Sequence, residues 1–193
     1  MNIKKLRNCE RGFTILEVLI AALITGILVS ASFEFYTKMH GQSETQFNVS
    51  EMQQLARSSM QDIRKTLLQA GFKLSGGHPP YEITGDTLAV YYSITLPVDT
   101  VKYYLVEFTA GEYAQVPNLP VGEKLYKLVK KVNSEAAAVY ADFVTEIIYN
   151  QIDAANIVVT ISVQAMQSDD SYAPNNGFRI YSVSDRIKIR NVG

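Results

Sequence analysis

The chain has 193 residues, of which 47% are hydrophobic and 19% charged, and its net charge is −1. These values exclude a disordered chain and allow one folded domain plus an appendage. A single cysteine, Cys9, precludes an internal disulfide, and the nearly neutral balance argues against a nucleic-acid partner.

Residues 1–12 form a short basic head, with Lys4, Lys5, Arg7 and Arg11 set against Glu10. The head carries +3 and the remainder of the chain −4. It has no apolar core of its own, so it is not a secretory signal peptide, and no apolar segment precedes Cys9 to make it a lipoprotein site. Basic residues ahead of an apolar segment hold that end in the cytoplasm.

The apolar segment opens at Phe13, and residues 18–33 carry no charge. A helix over 13–33 would be about 31 Å long, enough to cross a hydrocarbon core of about 30 Å. Glu17 is the one carboxylate inside it. An unpaired carboxylate in a bilayer costs about 2.5–3.5 kcal/mol or more, so its presence points to a partner and a role. Ala21, Ala22, Gly26, Ser30, Ala31 and Ser32 are small enough to let neighbouring helices approach closely. Ser30-Ala31-Ser32 also has the look of a signal-peptidase site, which would make Phe33 the start of a soluble protein. Glu17 and the helical pattern that continues past Phe33 count against that reading.

The run Arg11-Gly12-Phe13-Thr14-Ile15-Leu16-Glu17, with its basic leader and adjoining apolar stretch, resembles the precursors of type IV pilins. The resemblance implies cleavage between Gly12 and Phe13 by prepilin peptidase, a membrane aspartyl protease, and N-methylation of Phe13. It also places Glu17 on the family's near-invariant glutamate. There, its carboxylate would pair with the freed Phe13 ammonium of the next subunit during assembly. The implied partners are other pilin or pseudopilin subunits, the peptidase and an inner-membrane assembly platform.

Beyond Phe33 the helix signals continue. Phe47, Met52, Leu55, Ala56, Met60, Ile63 and Leu67 recur every three to four residues, with Gln, Ser, Asp, Lys and Arg between them. Gly41 is a candidate bend. Ala70-Gly71-Phe72 reads as the stop, with Gly71 suited to a left-handed position. The helix is therefore expected over 13–72, packed by its second half on the C-terminal part of the chain. Residues 52–72 resemble the W-type minor pilins and the related J-type minor pseudopilins of type II secretion.

Residues 73–80 are rich in Gly and Pro and break the pattern. Strand texture then fills 87–94, 101–109, 124–132, 139–149, 156–167 and 178–190, with a short run before a tight turn at Thr84-Gly85-Asp86. The expected architecture is α+β and pilin-like: leader 1–12, long helix 13–72, and an antiparallel β domain over 73–193, in one sheet or two. Lys102-Tyr103-Tyr104-Leu105, Leu125-Tyr126-Lys127, Ala141-Asp142-Phe143 and the closing Ile187-Lys188-Ile189-Arg190-Asn191 extend the minor-pilin resemblance.

Catalytic and cofactor motifs are missing: there is no phosphate loop, no His-Glu-x-x-His and no Gly-x-Ser-x-Gly. Neither enzymatic activity nor a cofactor is expected. His40 and Glu44 sit one turn apart and read as a surface pair. Asp169, Asp170, Asn175 and Asn176 form a loop whose oxygens are a weak candidate calcium site, without the spacing of a defined motif. Lys127, Lys130 and Lys131 read as an exposed edge or face. The functional expectation is a minor pilin or minor pseudopilin that initiates or caps a filament. A membrane-anchored or secreted β-domain binding protein, or a pilus-tip adhesin, is the alternative.

Overall fold

A computed structural model describes residues 13–74, 77–94, 97–116, 118–169 and 172–191. The leader and Gly12 lie outside the described residues. The chain divides into two compact units, Met1–Glu44 and Thr45–Gly193. One helix, α1 (Ile15–Gln69), belongs to both.

In the first unit, α1 continues through Gly41 without interruption. Its side chains are exposed throughout, including Leu19, Leu23, Ile27 and Phe33. Thr25, Ser30 and Ser32 turn their hydroxyls back to carbonyls one turn earlier, so each supplies its own acceptor.

In the second unit, α1 lies on a seven-stranded antiparallel sheet. The strands are β1 (Tyr81–Thr84), β2 (Thr87–Tyr92), β3 (Asp99–Glu107), β4 (Tyr126–Val132), β5 (Ala138–Asp153), β6 (Asn156–Gln164) and β7 (Ile180–Lys188), with a short helix α2 (Ala110–Tyr113) between β3 and β4. They pair in sequence order, as a meander. A single sheet is thus formed, not two. Tyr81 on β1 nevertheless donates a hydrogen bond to the Asp153 carbonyl at the end of β5, 3.4 Å away. Four strand spacings would separate them by about 19 Å across a flat sheet, so the meander curls strongly.

The core forms between α1 and this sheet. Met52, Ala56, Ser59, Met60, Ile63, Thr66 and Leu67 are the buried positions of α1. They meet Leu88, Val90, Val101, Leu128, Val144, Ile157, Val159, Ile161 and Val163, among others. Full burial of a side chain such as Ile63 or Leu67 stabilises by about 1.5–3 kcal/mol. Phe47, expected on this face, is exposed, and Leu55 is only half-buried. Phe47 sits about 140° around the helix from Met52 and points off the sheet.

Gly71 ends the helix with φ +76°. Its N–H donates to the Tyr91 carbonyl (2.9 Å), and Ser93 N–H donates to the Phe72 carbonyl (2.9 Å), so the helix terminus joins β2 directly. Asn191 from the C-terminal end donates its side-chain amide to the Ala70 carbonyl, 3.2 Å away. A Cβ at Gly71 would run into the Asn191 carbonyl.

Three features differ from the sequence expectation. β5 runs on to Asp153, because the turn into β6 is held by the Asp153 carboxylate accepting from Ala155 N–H and the Asn156 amide, without glycine or proline. Phe143 takes φ +57° where β5 shifts register against β4, a bulge that lets its ring pack edge-on against Phe108. Phe108, Val116, Leu125 and Phe178 then close a second small core under the α2 loop.

Lys127 and Lys130 are not on an edge. β4 lies inside the sheet, Lys127 pairs with Glu112, and Lys130 pairs with Asp62 of α1. The Asp62 carboxylate accepts from Lys130 Nζ (2.8 and 3.1 Å), Tyr103 hydroxyl (2.6 Å) and Tyr140 hydroxyl (3.3 Å). Because Tyr103 donates to Asp62, the Thr66 hydroxyl, 2.7 Å away, donates to Tyr103. Burial, reinforced by Asp62, pushes the Tyr103 phenol well above its ordinary pKa and keeps it a donor.

Candidate assembly site at the head of the helix

The candidate site begins at Phe13 and Thr14, which precede the first helical turn. Phe13 is 87% exposed. Gly12, the other side of the expected scissile bond, falls outside the described residues.

Thr14 caps α1. Its hydroxyl accepts from Glu17 N–H at 3.3 Å, and Glu17 Oε2 in return accepts from Thr14 N–H (2.8 Å) and from the Thr14 hydroxyl (2.9 Å). This reciprocal box satisfies two backbone donors that a helix start leaves orphaned, and it sets a carboxylate at the positive end of the helix dipole. In hydrocarbon, where water cannot supply those bonds, the arrangement matters more than at a wet surface. Thr14 has no place among the residues singled out from the sequence, although its Thr-x-x-Glu spacing is the available signal. The chain uses the same device at α2, where Thr109 N–H and hydroxyl both donate to Glu112. There, Lys127 also binds the carboxylate and, together with the Thr109 backbone, depresses its pKa to about 2. Glu17 differs: among the described residues no cation pairs with it. One of its oxygens is bonded to Thr14, and among the described residues no cation balances the carboxylate at the head of this apolar helix.

The residues 7–33 that contain this site match the family model of the prokaryotic N-terminal methylation motif. The chain carries the N-terminal motif of a type IV pilin-like precursor. The match covers the Gly12–Phe13 bond, Glu17 and the apolar run, together with the end of the basic head. No curated protein and no solved structure gave a match to the chain. The pilin-like motif therefore sits on one long helix, packed in its second half on an antiparallel sheet, the α+β arrangement expected from the sequence.

The remaining candidate positions separate from this site. Asp169, from the candidate calcium loop, binds Arg179 through one carboxylate oxygen at 2.7 and 3.0 Å. Asn175 and Asn176 lie in a tight turn at φ 50° and 52°, and Asp170 is outside the described residues. Among the described residues no three metal-ligating side chains gather. His40 and Glu44 form an exposed pair at 3.7 Å.

Proposed function

We propose that this chain is a minor pilin or minor pseudopilin, a structural subunit that initiates or caps a type IV pilus or a type II secretion pseudopilus. Prepilin peptidase cuts between Gly12 and Phe13 and methylates the new terminus. Before assembly the protein is a single-pass inner-membrane protein, with its N-terminus cytoplasmic and its β domain periplasmic. Its work is done by docking with other pilin-like subunits at an inner-membrane platform, not by catalysis.

The observation that carries this reading is Glu17, a carboxylate in an apolar helix head, capped by Thr14 and without a cation among the described residues. Cleavage creates a missing cation, the Phe13 ammonium of an incoming subunit. Pairing the two removes the cost of leaving either charge alone in low dielectric, and so favours docking at one axial step. Glu17→Ala should be processed like the wild type yet enter filaments at least about tenfold less, as measured by immunoblotting of membrane and sheared-filament fractions, a loss equivalent to about 1.4 kcal/mol or more of docking free energy. Wild-type incorporation of Glu17→Ala would remove the assembly role.

A further inference from the structure

β5 is the longest of the seven strands, and it serves two neighbours in turn. It pairs with β4 as far as Val144, which stands opposite Tyr126, and from Val144 to Asp153 it pairs with β6. Leu125, the residue that would carry the β4 ladder on, turns away. Its carbonyl accepts from Phe108 N–H, and its own N–H donates to the Tyr113 hydroxyl. Residues 145–152 therefore have β6 on one side and no paired strand on the other. In an antiparallel ladder, alternate residues turn their N–H and C=O away from a given neighbour. Among the described residues, no backbone bond outside the ladders reaches 145–152, so an open edge is left there.

Native sheets blunt their open edges by shortness, charge or proline. β1 has four residues and follows Pro79-Pro80, and β7 carries Asp185, Arg186 and Lys188. The β5 edge has neither lysine nor proline, and Glu146 is its one charge. Ile148 and Ile152 are 44% and 49% exposed along it, so the edge is apolar as well as open.

A cleft of about 370 Å³ lies beside this edge. It is lined by residues 145–149, by Leu105 of β3 and Tyr126 of β4, and by Gly85 and Asp86 of the turn between β1 and β2. Its polar groups lack partners. The Tyr149 hydroxyl is buried and bonds to nothing among the described residues. Burial, and after it the charge of Asp86, push the Tyr149 phenol above its ordinary pKa, so it keeps its proton and needs an acceptor. Asp86 and Glu146 are exposed carboxylates with no cation among the described residues.

We propose that residues 145–152 of β5 take an extended segment of a partner protein as an added strand, one that carries lysine or arginine among apolar residues. The segment's backbone bonds to the open edge, as in other cases of strand addition. Its basic side chain meets Asp86 and Glu146, and a peptide carbonyl is an acceptor for Tyr149. A second copy of the chain suits the edge poorly, because self-pairing would gather both copies' Asp86 and Glu146 at one interface without a cation. The site lies in the second unit and is independent of processing at Gly12.

The test uses the full chain, solubilised in detergent and immobilised, to select binders from a displayed library of random peptides. Recovered peptides should carry lysine or arginine among apolar residues. They should slow amide hydrogen exchange several-fold across 145–152. They should bind at least about tenfold more weakly to the double variant Asp86→Asn, Glu146→Gln. Both side chains are exposed, so that variant should keep the wild-type thermal midpoint. Ile148→Lys, which puts a charge on the edge, should also abolish binding. Recovery of no peptide, of peptides without basic residues, or of peptides that bind the double variant as well as the wild type would overturn the proposal, as would protection that falls on other elements. Protection of 145–152 that grows with protein concentration, without peptide, would also overturn it by giving the edge to a second copy.

Discussion

Gly71 shows how one residue can close the fold. Its φ of +76° suits glycine, and the space a side chain would need is occupied by the Asn191 carbonyl. Alanine there meets backbone strain and a clash with main chain, which cannot rotate away. Gly71→Ala should cost roughly 2 kcal/mol or more, seen as a lower midpoint in thermal unfolding of the detergent-solubilised chain followed by tyrosine fluorescence. An unchanged midpoint would mean that the contact between the helix end and the C-terminal segment is not held as described. The left-handed glycine was readable in Ala70-Gly71-Phe72, because helix stops use a local grammar. Its second constraint was not, because Asn191 lies 120 positions away in sequence and only the fold brings it there. Thr14 is the opposite case: its cap is entirely local, and Thr-x-x-Glu is enough to find it.

At the scale of elements, the helix and sheet are joined by apolar packing and by the cluster at Asp62. The side chains of Asp62 and Lys130 are 19% and 17% exposed, so neither charge is well served by water. Removing one leaves the other stranded, whereas removing both does not. Lys130→Met should therefore destabilise by about 2 kcal/mol, and Asp62→Leu combined with Lys130→Met should recover part of that loss in the same unfolding assay. A neutral single variant, or a double variant that simply adds the two losses, would contradict the clamp. Periodicity made the helix face legible from Met52 to Leu67 and alternation made β6 legible. Neither could show that a polar position of the helix and a lysine of β4 would meet. The same limit explains the α2 loop. Phe108, Leu125 and Phe178 come from three separate stretches, and no window of sequence holds them together. The bulge at Phe143 is likewise set by its fit against Phe108, not by a local turn signal.

The molecule as a whole divides its work between two parts of one chain. Residues 7–33 carry the prokaryotic N-terminal methylation motif, and within them the head of α1 presents a capped carboxylate without a cation among the described residues. The second unit supplies a packed α+β body that spends charges in pairs such as Asp62–Lys130, Arg64–Asp185 and Arg179–Asp169. The proposed processing makes Phe13 the N-terminus and thereby supplies a cation for Glu17. It is tested most directly by mass spectrometry of the N-terminal peptide, from membranes with and without prepilin peptidase. The expected result is a peptide beginning at N-methylated Phe13 that disappears when the peptidase is absent. A terminus at Met1 or at Phe33 in cells that contain the peptidase would contradict it.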